Sequence, residues 1–535
     1  MKLLKPVLFS AVAATILSSC GGSSEILSTP VENVDTVPLK VSELTQAEKE
    51  NWGHLDLIKD TIPGMSVDKA YSEIIKDKKG KKVIVAVIDS GIDIEHEDLD
   101  GVVWTNEDEI PGNGKDDDNN GYIDDIHGWN FLGDAYDEQL EYVRILASGD
   151  TSNPEYDRAK AEYDEEYQKT LGQKTQYEQI YQQIKNADEA VAKHLNKEDY
   201  TPEDVNGINA EGNETLTQAV GMLKYMYGNG FDSTDKALSA VKEGVEYFSD
   251  KLNYNINKEF NGRKTGDNPN DLNDVGYGNG NVMPSEKGES HGTHVAGIIA
   301  AERNNGLGAN GVANNVEIMS LRAVPNGDEY DKDIALAIRY AVDNGAKVIN
   351  GSFGKYYSPH SDWVRDAIAY ASKNDVVFVN AAGNEGIDLD VKAVYPNDQV
   401  DNGPEVGDTF ITVGALAPKY GANMVAGFSN YGKINVDIFA PGAKVYSTTP
   451  ENEYDTKGGT SMAAPAVAGV AALIRSYFPK LTAAQVKQVI LDSGLALKTQ
   501  VVVGGDASNV KPIADLSKST KIANAYNALI LASQL

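Results

Sequence analysis

Val83-Ile84-Val85-Ala86-Val87-Ile88-Asp89-Ser90-Gly91 is a continuous apolar run, mostly β-branched, that ends on an acidic residue and a turn. A run of this kind is that of a strand buried on both faces, as in a parallel sheet. Comparable runs recur at 317–321, 347–350, 376–380, 410–413 and 436–439. Helical patterns lie between them, at 331–344, 361–373 and 461–477. This alternation predicts a doubly wound α/β domain with a mostly parallel sheet. Such folds gather their reacting groups at the C-terminal edge of the strands, where Asp89 falls.

Residues 135–257 break the rhythm. They contain no convincing strand, only helical segments at 138–147, 154–195 (with an expected break), 215–227 and 234–252. Tyr163, Tyr167 and Leu171 recur at a helical spacing, as do Tyr177, Ile180, Tyr181 and Ile184. They read as the core of an inserted helical subdomain, with a long acidic coiled coil as the alternative. The α/β domain is then built from residues 50–134 and 258–535, and residues 21–49, polar and without periodicity, read as a linker.

The first twenty residues, MKLLKPVLFSAVAATILSSC, open with lysines, continue with a short apolar run and end in small residues. That is a secretory signal, too short for a stable membrane span. Cys20 is the one cysteine of the chain, so neither an intramolecular disulfide nor a cysteine-based zinc site can form. With 80 acidic against 48 basic residues the chain carries a net charge of −32, which disfavours a nucleic-acid partner.

Three short motifs carry chemistry. Asp89-Ser90-Gly91 follows the buried strand. His291-Gly292-Thr293-His294-Val295-Ala296-Gly297 opens an apolar helix. Gly459-Thr460-Ser461-Met462-Ala463-Ala464-Pro465 sits at another loop-to-helix junction. A serine there is exposed at the positive end of the helix dipole, which favours negative charge developing nearby. Taken singly, these are a turn, a packed histidine pair and an N-cap. Together, in the order Asp, His, Ser, they resemble the subtilisin-like serine peptidases. The resemblance runs from about Trp52 to the C-terminus, apart from the insertion.

The resemblance implies a serine endopeptidase acting on proteins or peptides, with Ser461 as nucleophile, His291 as general base and Asp89 as its orienting carboxylate. His294 is structural in the same pattern. Asn384, in Ala381-Ala382-Gly383-Asn384-Glu385-Gly386, matches the oxyanion asparagine. Ser352, Phe353 and Gly354 match the segment that pairs with substrate backbone, with Phe353 in place of a more usual leucine. Leu17-Ser18-Ser19-Cys20 resembles a bacterial lipobox, which implies export, acylation of Cys20 and a lipid anchor on a periplasmic or cell-surface membrane face. The stretch between Cys20 and Asp89 is too short for the inhibitory prodomain that many family members carry. The separation of Asp89 and His291, 202 positions, exceeds that of compact members. The insertion therefore leaves and returns near the cleft, and is expected either to restrict substrate access or to serve as a stabilising embellishment. An inactive surface scaffold and a processing peptidase with a single target are the rival readings.

Residues 113–125 are dense in oxygen ligands. Asp116, Asp118, Asn120, Tyr122 and Asp124 imitate the early positions of an EF-hand loop, but His127 stands where the terminal glutamate belongs. The expectation is a structural calcium loop of another kind, with a solvated acidic turn as the alternative. The acidic stretch 267–274 is a second source of ligands, or of helix caps.

Overall fold

The apolar run forms strand β1 (Val83–Asp89), which pairs in parallel with β3 (Val316–Arg322) on one side and β4 (Val348–Gly351) on the other. The computed structural model describes residues 28–285 and 288–535. The expected signal peptide 1–20, with Cys20, and residues 21–27 lie outside the described residues. Strands β2 (Gly128–Asn130), β5 (Val377–Ala381), β6 (Phe410–Leu416) and β7 (Ile438–Pro441) extend the parallel sheet. Hairpin β8 (Val445–Thr449) and β9 (Glu453–Lys457) stands apart from it. So does hairpin β11 (Gln500–Val503) and β12 (Asp506–Pro512). The short strands β10 (Leu495–Ala496) and β13 (Lys521–Ile522) complete nine strands in the order β10-β13-β7-β6-β5-β4-β1-β3-β2. Within this sheet, among the described residues, only the β10–β13 pair runs antiparallel.

Alternate residues of β1 serve opposite faces. Val83, Val85 and Val87 join a core with helices His291–Ala300 and Thr460–Tyr477. Ala86 and Ile88 join the other core, with helices Asp331–Asp343 and Ser361–Lys373. Both faces are covered, which is why the strand reads as a continuous apolar run. The chain goes from β1 to β2 and β3 on one side and then crosses from β3 to β4 on the other side of β1, so Asp89 ends at the switch point where such sheets open a crevice.

The insertion is helical, as the sequence predicts. Its second helix, Tyr156–Leu195, is unbroken over 40 residues, so the expected break is absent. Ile184, Ala187 and Val191 on that helix pack against helices Glu214–Gly228 and Thr234–Asp250 over a separate small core. Tyr163 and Tyr167 stack at 5.7 Å and instead join a cluster shared with Tyr357 of the α/β domain.

The linker reading needs correction from residue 28 on. Val31 and Val34 are buried in the main core. Val31 also exchanges two hydrogen bonds with the Asn527 side chain, at 2.7 and 2.9 Å. Isolated valines in a polar stretch carry no periodicity, yet they fill a seam against the C-terminal helix Ala525–Ala532.

Candidate active site

Asp89 closes β1 and is 1% exposed. Its Oδ1 accepts from the Ser90 N–H at 2.8 Å and from His291 Nδ1 at 2.7 Å. That bond places the imidazole proton on Nδ1 and leaves Nε2 with a free lone pair. His291 begins its helix with a side chain 40% exposed. Gly292 is required beside it, because a Cβ there would meet the Gly91 carbonyl oxygen at 2.2 Å. Burial lowers the His291 pKa, but the adjacent Asp89 charge and hydrogen bond outweigh it and leave the pKa above the ordinary 6.5. Lys457, on the same cleft, pulls the other way. His294 is fully buried and bonds the Asp455 carbonyl at 3.1 Å. Burial holds its pKa down at about 3, so it stays neutral and fastens its helix to β9.

Ser461 lies in the first turn of helix Thr460–Tyr477. Pro465 sits inside that helix and has no N–H, so the Ser461 carbonyl loses its intrahelical donor. The Ser352 hydroxyl takes that role at 2.8 Å. In return the Ser461 Oγ donates to the Ser352 carbonyl at 3.2 Å. Two reciprocal bonds thus fasten the serine to the segment that follows β4. Among the described residues no hydrogen bond joins the Ser461 Oγ to His291; Ser461 bonds Ser352, which lines a cleft of about 450 Å³ with His291, Phe353, Gly354 and Lys457.

Asn384 follows β5 across a turn at Gly383, whose φ of +98° favours glycine. Its Oδ1 accepts from Thr460 N–H at 2.8 Å and Thr460 Oγ1 at 3.0 Å. Those bonds fix the amide plane, and its Nδ2 has no acceptor among the described residues. The Ser461 N–H lies beside it in the first helical turn, where N–H groups lack intrahelical partners. Phe353 is 8% exposed with its ring in the second core, whereas Gly354 is exposed. A Cβ on Gly354 would press on Tyr395 O at 3.1 Å and Val394 Cγ2 at 3.3 Å. Neither the N–H nor the C=O of Gly354 has a hydrogen-bond partner among the described residues, so this edge is open to an incoming strand.

Sequence reasoning missed Arg322, which ends β3 directly opposite Asp89 and is fully buried. Its guanidinium bonds Ser90 O, Ala135 O, Ser285 Oγ and Glu289 Oε1 at 2.9–3.0 Å. It thereby ties together the turn after Asp89, the root of the insertion and the residues leading into His291. The one signal in sequence was a charge closing a run whose other buried side chains, Ser320 apart, are apolar.

The expected calcium ligands do not converge as a set. Asp116 and Asp124 spend their oxygens on backbone N–H groups of Asn120, Gly121, Asn113 and Gly114. The Asn120 Oδ1 accepts from Tyr122 N–H, and the Tyr122 ring packs on Trp129 and Tyr340. Of the five, only Asp118 joins a carboxylate cluster, with Glu109 and Asp125, whose oxygens lie within 4.8 Å of one another. The buried Glu109 Oε2 has no hydrogen-bond partner there. In the second acidic stretch, Asp267 is spent on Arg263 at 2.8 Å and Lys332 at 2.5 Å.

Residues 80–515 match the model of the subtilase family of peptidases. The chain is 38% identical over 245 residues to a thermophilic serine proteinase of Bacillus sp. (strain AK1), a match covering 46% of this chain and 53% of that one. It is 36% identical over 229 residues to subtilisin DY of Bacillus licheniformis, covering 42% of this chain and 78% of that one. The crystal structure of a cold adapted subtilisin-like serine proteinase aligns at 32% identity and a TM-score of 0.32, over 38% of this chain and 68% of the other.

Proposed function

The chain belongs to the subtilase family, and on that premise we propose that it is an exported serine endopeptidase working through Asp89, His291 and Ser461. The observation that carries the reading is the 2.7 Å bond from His291 Nδ1 to the buried Asp89, which leaves Nε2 as a base facing the cleft. Ser461 attacks the scissile carbonyl carbon as His291 Nε2 takes its proton. The same imidazolium then protonates the leaving amine, and water resolves the acyl-enzyme by the reverse sequence. Asn384 Nδ2 and the Ser461 N–H stabilise the developing oxyanion. The extended substrate pairs with the open edge at Ser352, Phe353 and Gly354. One substrate N–H takes up the Ser352 carbonyl, and this releases the Ser461 hydroxyl, which now bonds it, to turn toward His291.

Residues 1–20 then direct export, and Cys20 carries a lipid that anchors the enzyme on a periplasmic or cell-surface membrane face. For calcium, the orphaned Glu109 oxygen and the neighbouring Asp118 and Asp125 carboxylates fit a hard cation, which would neutralise their mutual repulsion and stiffen the loop.

The test is casein hydrolysis by the full chain in mild detergent beside Ser461→Ala, together with labelling by a fluorophosphonate probe. Hydrolysis and labelling that both vanish in Ser461→Ala are expected. A wild type that neither cleaves nor labels, or activity that survives Ser461→Ala, would sink the reading.

A further inference from the structure

The insertion grips both walls of the cleft. On one wall, Asn326 N–H donates to Tyr136 O at 2.8 Å and Glu138 N–H donates to Asn326 O at 3.1 Å. Asn255 Nδ2 closes on the same Asn326 carbonyl at 2.7 Å. On the other wall, the insertion holds the three residues that follow Gly354. The buried Lys355 ammonium pairs with Glu141 at 2.8 Å and Asp331 at 3.0 Å. Arg158 donates to the Tyr356 carbonyl at 3.1 Å and lies 4.0 Å over the Tyr357 ring. The Tyr357 hydroxyl donates to Glu162 at 2.7 Å.

These contacts continue inward. The Tyr356 hydroxyl donates to the Glu385 carboxylate and accepts from Asn430 Nδ2 at 3.2 Å. The same Glu385 oxygen accepts from the Asn384 N–H at 2.9 Å. Asn430 Oδ1 accepts from the N–H groups of Glu385 and Ile387, at 3.1 and 3.0 Å. Polar contacts thus run from the long insertion helix to the Tyr357 hydroxyl and the Tyr356 carbonyl, and, across the covalent frame of Tyr356, from its hydroxyl to the turn that carries Asn384. A lid would touch the rim and leave the centre alone; this arrangement reaches the residue that faces the oxyanion.

We propose that the inserted helical subdomain is a positioning element of the catalytic centre, with Glu162 and Tyr356 as positioning residues that hold the substrate-pairing segment and, through Glu385, the Asn384 amide. The inference rests on the peptidase reading above. Misplacement of a reacting group by about 1 Å can cost on the order of 10²-fold in rate, so the loss of one anchor is readable.

The experiment uses the full chain and a tetrapeptide anilide too short to reach the insertion helices. Tyr356→Phe removes one oxygen and should lower kcat about tenfold with KM within about twofold. Glu162→Ala should lower kcat/KM in the same assay, and Glu162→Gln, which keeps an acceptor for Tyr357, should recover most of the loss. Thermal unfolding of each variant verifies that it is folded, and Tyr356→Phe alone decides if Glu162→Ala is not. Wild-type kcat in folded Tyr356→Phe overturns the proposal, as does faster casein cleavage by Glu162→Ala with the tetrapeptide unaffected, the pattern of a gate. A wild type that neither cleaves nor labels with fluorophosphonate overturns instead the peptidase reading beneath it.

Discussion

Replacing Arg322 by Met tests whether the junction between Asp89 and His291 is held by a buried ion pair. Arg322 makes six hydrogen bonds from a side chain with no exposed surface. Five of its partners are neutral oxygens; the sixth, Glu289, is itself only 3% exposed at the side chain. Methionine fills much of the volume but leaves the Glu289 carboxylate buried without its counter-charge. Breaking one side of such a pair costs about 3–5 kcal/mol. Against a total stability of about 5–15 kcal/mol, the variant should fold but unfold at much lower urea.

The pH dependence gives a sharper reading. Burial raises the Glu289 pKa above its ordinary 4.5 even with Arg322 opposing it. Without the guanidinium it rises further. The native variant then holds a proton that the unfolded chain has released above about pH 4.5, so stability falls as pH rises through that window, by at most about 1.4 kcal/mol per pH unit. Urea unfolding of both proteins at about pH 5 and about pH 7.5 should show a smaller gap at the acid end. Turnover should fall as well, since Ser90 and Glu289 flank the two ends of the Asp89–His291 bond. A gap below about 1 kcal/mol, or one independent of pH, would refute the argument.

Three further outcomes follow from the site. Asn384→Ala should lower kcat by about 10²–10³ with little change in KM, as when subtilisin loses this donor, and steady-state kinetics on a short peptide reads it. Lys457→Gln removes a charge that holds the His291 pKa down, so the acid limb of the kcat/KM profile should move to higher pH. A chelator should lower the thermal midpoint of the wild type but have little effect on Glu109→Gln, because Glu109 supplies the unpaired oxygen of the carboxylate cluster.

What the sequence made legible was local. Six apolar residues of β1 announce a doubly covered strand because all but the half-buried Ile84 are buried by the layers on the two faces of the sheet, and the three motifs carry their chemistry in adjacent residues. The rest depends on which distant group consumes a given atom. Spacing alone made Asp116 and Asp124 equivalent to Asp118 as calcium ligands, yet all three accept backbone N–H groups of their own loop and only Asp118 also faces other carboxylates. The cluster that forms borrows Glu109 from before the loop and Asp125 from its end. Arg322 and Glu289 stand 33 positions apart, and nothing adjacent to either one names the other as its partner. Tyr356 and Glu385 are no easier to pair from sequence, although their contact is what links the insertion to Asn384. Burial supplies the common cause. Where an insertion joins a sheet edge, backbone groups and charges from both partners lose water together, and each must find its partner in the other. The joints that position this site are therefore polar contacts between segments distant in the chain, some within the α/β domain and some between it and the insertion, and the residue pattern records each half of them separately.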